Sequence, residues 1–253
     1  MIKLSIAIIT YNEERNIERC LLSVKDIADE IIVVDSLSDD RTVAICKKYN
    51  ATVISQKFLG HIEQKNLALS KTSYSYVLSL DADEALSDEL KKSIISVKEK
   101  WKYDSYYFNR RTNYCGKWIK HSGWYPDAKV RLWRKEIAKW GGVNPHDKVV
   151  ADINSSSKHL YGDLLHYSFY SVEEHMNQIN KFSSIKAREM FKKGKRFSFC
   201  KMFISTLAKF FKHYIIKLGF LDGMDGFVIS VNSAHSTFLS YFKLRQYIRD
   251  AKK

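Results

Sequence analysis

Proline and glycine are scarce, at two and ten in 253 residues. That excludes low-complexity linkers. Cysteine is sparse too. Cys20, Cys46, Cys115 and Cys200 stand far apart, form no CxxC and accompany no paired Cys/His cluster. Neither a zinc site nor a disulfide framework is expected. The first apolar run is too short for a signal peptide and meets Glu13 and Glu14 at once. Gly226 to Phe242 lacks Lys, Arg, Asp and Glu, but Asn232, His235 and several serines interrupt it, so it is not read as transmembrane. These absences suggest a cytosolic protein with reduced thiols.

What is present is an ordinary apolar fraction, 45%, enough for a globular core. The formal net charge is +14. Its distribution is uneven. Residues 1–100 hold 14 basic and 16 acidic side chains, whereas residues 181–253 hold 16 and 4. An anionic partner, nucleic acid or a lipid surface, is therefore expected at the C-terminal end.

Leu4 to Thr10 is a short, β-branched, nearly continuous apolar run, the mark of a buried parallel strand. Asn12 is placed as the cap of the following helix. Glu30 to Asp35 reads as a second buried strand, with Ser38 or Asp39 capping a helix through Tyr49. Ala51 to Ser55 is a third strand, Glu63 to Lys71 a short helix, and Tyr76 to Leu80 a fourth strand. Ser87 caps a helix to about Lys100. Strands alternating with helices imply an α/β fold of βαβ units, which bind ligands at the carboxyl ends of their strands. Three polar signals fall at those ends: Thr10-Tyr11-Asn12, Asp35 and Asp81-Ala82-Asp83. Beyond residue 101, Tyr103 to Tyr114 and Lys129 to Trp133 read as strands and residues 173–193 as a helix.

Alternate carboxylates in an extended turn can face one metal, and their oxygens suit hard cations such as Mg²⁺ or Mn²⁺. An isolated Asp-x-Asp equally caps helices. Its alignment with Tyr11 and Asp35 favours the metal.

Ser5-Ile-Ala-Ile-Ile-Thr-Tyr-Asn-Glu-Glu14, Ile31-Ile-Val-Val-Asp35-Ser36 and Leu78-Ser-Leu-Asp81-Ala-Asp83-Glu84 together resemble family 2 glycosyltransferases of the GT-A fold. Lys65-Asn66-x-Ala68-Leu69 resembles the segment before that family's metal strand. Gly123-Trp124-Tyr125-Pro126-Asp127, Arg131-Leu132-Trp133-Arg134 and Gly219-Phe220-Leu221-Asp222-Gly223 resemble a narrower group, the bacterial lipopolysaccharide-core β-1,4-glucosyltransferases. The resemblance implies a Rossmann-like nucleotide-sugar-binding domain with a mixed sheet over residues 1–180, nucleotide half 1–100 and acceptor half 101–180. A helical, basic extension over 181–253 would follow.

It also implies roles. Thr10, Tyr11, Asn12 and Glu13 would line the nucleotide-sugar site, with Tyr11 flanking the base and Asp35 accepting from uracil N–H. Asp81 would hold ribose or the metal, Ala82 the turn between, and Asp83 a divalent cation on a UDP-sugar. Lys65 would neutralise phosphate or approach the base, unless it is simply a solvated helix lysine. Asp147 is the candidate general base, with Asp127 as second choice. The narrower group usually reads Val-His-Glu here; this chain inserts Asn144-Pro145 and shortens Glu to Asp. His146 would ligate the metal, contact phosphate or orient the base, or be a loop histidine bonded to backbone. Trp124, Tyr125 and Asp127 would form an acceptor shelf, unless Trp124 packs the domain edge. Arg131 would contact a phosphorylated acceptor or make a buried salt bridge.

On a helical wheel over residues 201–218, Lys201, Lys209, Lys212, His213 and Lys217 cover one side. Phe203, Ile204, Leu207, Phe210, Phe211, Tyr214, Ile215 and Leu218 cover the other. That pattern suits an interfacial helix on an anionic membrane, over residues 197–221, or a helix packed on the catalytic domain. With the resemblance, it places the chain on the cytoplasmic face of the inner membrane, acting on a lipid-linked saccharide. Other classes remain: a nucleotidyltransferase, disfavoured because residues 10–16 contain no Gly; a nucleic-acid binder, disfavoured by the acidic strand ends; and a non-catalytic sugar-binding protein.

Overall fold

The computed structural model describes residues 1–143 and 146–251, without the His146 side chain. In chain order the elements are β1 Leu4–Thr10, α1 Ile17–Val24, β2 Glu30–Asp35, α2 Thr42–Lys48, β3 Thr52–Ser55 and α3 His61–Ser70. Next come β4 Tyr76–Asp81, β5 Glu84–Leu86, α4 Asp88–Glu99, β6 Ser105–Tyr114, β7 Lys117–Trp118 and β8 Ala128–Arg134. β9 Ala138–Val143, β10 His146–Ala151, β11 Ser157–Phe169, α5 Val172–Lys192, α6 Phe199–Phe211 and α7 Gly223–Asp250 complete the chain. The expected mixed α/β sheet and helical C-terminal region are both present.

The chain divides into two compact units. The first comprises residues 1–111 and 127–167; the second comprises residues 112–126 and 168–253. These boundaries differ from the expected division at 180. Unit membership follows packing, and the loop after β6 is built with the C-terminal helices.

The first unit is a sheet in the order β3-β2-β1-β4-β8-β6-β11-β5, with a separate β9–β10 ribbon. β1 lies between β2 and β4, parallel to both. Leu4, Ile6 and Ile8 on one face and Ser5 and Ala7 on the other are all buried, so the strand is covered on both faces. β8 then runs antiparallel to β4. The register matters for function. Thr10 pairs with Asp35 and Ile9 with Asp81, so three strands end at one edge.

Two expected caps are corrected. Asn12 does not cap α1, which starts at Ile17 after Asn16. Asn12 adopts φ 51° and its Oδ1 accepts from Asp39 N–H, while Ser38 Oγ accepts from Asn12 N–H. Neither Ser38 nor Asp39 caps α2, whose preceding residue is Arg41. The loop after β1 and the loop after β2 bond each other instead. Ser87 does cap α4, accepting from Leu90 N–H.

In the second unit, α5 and α6 both pack on α7. Tyr114, Ile119, Phe169 and Ile229 form its small core, with Trp124 packed against them. Asp222 is buried and accepts from the N–H groups of Lys120 and His121. A Cβ on Gly226 would lie 1.9 Å from the Gly219 carbonyl oxygen, so the approach there requires glycine. The Gly219–Gly223 motif is thus architectural. The helix expected over 201–218 is interrupted. α6 stops at Phe211 and a wide π turn spans Lys212–Ile216, so one wheel does not describe the whole stretch.

Candidate active site

The edge where β1, β2 and β4 end carries two cavities that share one wall, Asp81. The smaller, about 250 Å³, is lined by Thr10, Tyr11, Glu13, Asp83 and His166 among others. The larger, about 460 Å³, includes Lys65, Arg110, Arg131, Trp140 and Asp147.

In the smaller cavity, Tyr11 is 58% exposed and available as a stacking surface. Thr10 Oγ1 is buried without a hydrogen-bond partner among the described residues. Ala82, between the two aspartates, is buried. Asp35 is not part of the lining. It is buried, and both its carboxylate oxygens accept from Ser38, one from N–H and one from the hydroxyl. Burial pushes the Glu13 carboxyl up to about 7, against the hydrogen bond from Asn16 and with help from the Asp83 and Asp40 charges.

His166 was missed in the sequence reading. Its Nε2 lies 3.1 Å from Asp83 Oδ2. The β5–β11 ladder sets His166 opposite Glu84, and Tyr167 N–H donates to the Asp83 carbonyl, which fixes the neighbours. The available signal was its place near the end of an apolar-containing strand, as for the aspartates. The donor types fit a divalent cation, since a carboxylate oxygen and an imidazole nitrogen adjoin at the cavity wall. Among the described residues no three His, Cys, Asp or Glu groups form a metal cluster. Diphosphate and water would therefore supply the remaining positions, as is common for Mg²⁺. His146, also expected as a ligand, has its side chain outside the described residues.

In the larger cavity, Lys65 is 3% exposed rather than a solvated helix lysine. Its Nζ lies 2.9 Å from Asp81 Oδ1 and 2.8 Å from Asp147 Oδ2. It also sits 4.3 Å from the Trp140 ring centroid. Asn66 explains this placement. Its Nδ2 donates to the Trp140 carbonyl and its Oδ1 accepts from Trp140 N–H, which clasps α3 to β9. Arg131, also 3% exposed, bonds Glu84 at 2.7 Å and Asp81 at 3.2 Å. The buried salt bridge is the observed state of Arg131. Burial alone would raise the Asp81 carboxyl, but Lys65 and Arg131 hold it far below the usual carboxylate range. Asp81 N–H donates to Glu84, so the turn is braced from both sides.

Asp127 has both carboxylate oxygens engaged, by Arg110 at 3.0 Å and Lys129 at 2.9 Å. Trp124 and Tyr125 belong to the second unit. There Trp124 packs edge-on to Tyr114 and tilted against Phe169.

Residues 5–152 match the family model for glycosyl transferase family 2. An uncharacterized glycosyltransferase of Rickettsia typhi is 38% identical over 97% of this chain and 88% of its own. The lipopolysaccharide core biosynthesis glycosyltransferase LpsC of Rhizobium meliloti is 27% identical, over 96% and 92%. Among solved structures, S. aureus TarS 1–349 in complex with UDP superimposes with a TM-score of 0.49 at 14% identity, over 98% and 92%. The chain belongs to family 2 of the glycosyltransferases.

Proposed function

We propose that this enzyme moves a hexose, glucose in the first instance, from a UDP-sugar to a lipid-linked saccharide of the lipopolysaccharide inner-core type, with inversion. The observation that carries the reading is the shared Asp81 wall, with a candidate cation pair on one side and a candidate base on the other. The similarity to LpsC over nearly the whole chain supports the acceptor class.

The donor occupies the smaller cavity. Tyr11 flanks the base, and Asn12 and Glu13 bound the nucleotide. Asp35 contributes by holding the Ser38 loop. Asp83 and His166 would hold a divalent cation, which would supply charge neutralisation for the departing diphosphate. Asp81 stays ionised between Lys65 and Arg131 and faces the ribose. In the larger cavity, Asp147 takes the proton from the acceptor hydroxyl, which attacks the anomeric carbon opposite the diphosphate. Lys65 releases Asp147 toward the acceptor and turns to phosphate. Asp147 is preferred over Asp127, whose two oxygens are already bound by cations. Arg131 acts on the acceptor only through the arrangement of Asp81. An acceptor-binding role for Trp124 and Tyr125, on their own unit, is part of the same proposal.

Residues 197–221 are read as the contact with an anionic membrane surface, on the cytoplasmic face of the inner membrane. Phe203, Ile204, Leu207, Phe211 and Ile215 are all exposed, which supports this. Among the described residues no helix is long and apolar enough to cross a membrane.

A donor screen tests the reading. Nucleoside diphosphate release is measured with Mn²⁺ or chelator, using membrane glycolipid extract as acceptor. Extract-dependent release from a UDP-hexose supports it. Release of pyrophosphate instead would identify a nucleotidyltransferase.

A further inference from the structure

The second unit has a cavity of its own, about 450 Å³, between α5, α6 and α7. Lys186, Lys195, Lys209 and Lys212 line it, with Thr237 and Tyr241 from α7. Among the described residues no acidic side chain lines it. Among the described residues none of these four lysines makes an ion pair. Glu189, on the same helix as Lys186, is not part of the lining and makes no ion pair with these lysines among the described residues. Lys186, Lys195 and Lys212 are exposed and Lys209 is half-buried, so the four ring an open hollow without an ion-pair partner among the described residues. Mutual repulsion of that kind costs stability unless an anion offsets it. Lys209 feels it directly, since burial and then the charges of Lys186 and Lys212 lower its pKa.

A second feature adjoins the cavity. Ser205, Ala208, Lys209 and Lys212 of α6 and the turn after it face the cavity. Phe203 and Leu207 lie on the other side of the same helix from Ser205, Ile204 and Phe211 border the cavity-facing Ala208, and all four apolar residues are exposed. At 100° per residue, Leu207 and Phe211 fall more than a right angle from Ser205. An apolar strip and a lysine-lined hole therefore share one helix, the arrangement needed to grip a phosphate while an attached chain lies against the strip.

We propose that this cavity is a phosphate-binding site, filled by a phosphomonoester or phosphodiester group. Lys186 and Lys209 grip the phosphate oxygens from α5 and α6, Lys195 and Lys212 close the rim, and Tyr241 offers a hydroxyl donor. A lipid headgroup or a free phosphorylated solute carries the same group. The site stands independently of the glycosyl-transfer reading and rests on the membrane reading only for the source of the phosphate.

The test uses the full chain and two probes: inorganic phosphate, followed by calorimetry, and phosphatidylcholine vesicles with or without phosphatidic acid, followed by co-sedimentation. Three doubles are compared: Lys186→Gln/Lys209→Gln, the charge-keeping Lys186→Arg/Lys209→Arg, and Lys192→Gln/Lys193→Gln outside the cavity lining. Thermal melting checks that each is folded. The proposal expects the cavity Gln double to lose about tenfold or more in binding. The Arg double restores most of it, and the outer double leaves phosphate binding unchanged. Loss confined to phosphatidic acid vesicles assigns a lipid headgroup; loss with inorganic phosphate as well assigns a free phosphorylated solute. Equal losses in the two Gln doubles, or no binding of either probe by the native chain, would overturn the site and leave only diffuse charge. Donor hydrolysis in the cavity double separates this from failure of the catalytic reading, since it should be unaffected.

Discussion

His166 Nε2 lies 3.1 Å from Asp83 Oδ2, although 83 residues of chain separate them. The pairing joins the turn after β4 to the end of β11, where the proposed divalent cation would sit. His166→Ala should raise the Mn²⁺ concentration needed for half-maximal nucleoside diphosphate release by about one to two orders of magnitude. A Mn²⁺ titration checks this; an unchanged midpoint removes His166 from the seat.

Lys65 is expected to serve stability and catalysis at once. Lys65→Ala leaves Asp81 and Asp147 facing each other without their shared cation. Breaking such a buried pair costs about 3–5 kcal/mol. Lys65→Ala combined with Asp147→Ala should recover part of that loss in urea unfolding, because one stranded charge is gone.

Asp147→Asn should lower kcat by about 10²- to 10⁴-fold with little change in the donor KM. Steady-state kinetics on extract acceptor measures it. Asp127→Asn should affect stability more than kcat, since its role is to join Arg110 to Lys129.

Much of this was legible from sequence, for a definite reason. β1, β2 and β4 are buried on both faces, so they read as apolar runs, and their ends mark the site. β5, β7, β9, β10 and β11 have no such signal. β11 mixes exposed Lys158 and His159 with buried Leu160 and Leu164, and its site residue gains meaning only from the strand opposite. The Asn12 and Ser38 errors have a similar origin. Their partners lie 26 and 27 residues away rather than in the next turn of helix.

Half-buried Glu13 and buried His175 give opposite pH effects. Glu13 has its folded pKa raised from 4.5 to about 7. The native state therefore holds its proton more tightly, and this group's contribution to stability falls as pH rises through that window. Glu13→Gln should match the native chain near pH 4 and be more stable above pH 7, by about 1–3 kcal/mol. His175, buried against Tyr114 and Asn232, has its pKa lowered from 6.5 to about 4. Its contribution is lost as pH falls from 6.5 toward 4. His175→Gln should flatten that acid limb. Urea midpoints against pH, read as differences from the native chain, separate the two.

Phe203→Ser with Leu207→Ser should reduce sedimentation with anionic vesicles by about tenfold, since each removes apolar area from the interface. UDP binding should be unchanged. Equal vesicle binding by the double and the native chain would set aside the interfacial reading.

The most direct measurement is cation-dependent nucleoside diphosphate release by Asp83→Ala. With UDP-hexose, Mn²⁺ and glycolipid extract, the native chain should release UDP and lose that activity in chelator. Folded Asp83→Ala should fall by about three orders of magnitude even at high Mn²⁺. Full activity of this variant, with the metal present, would contradict the account.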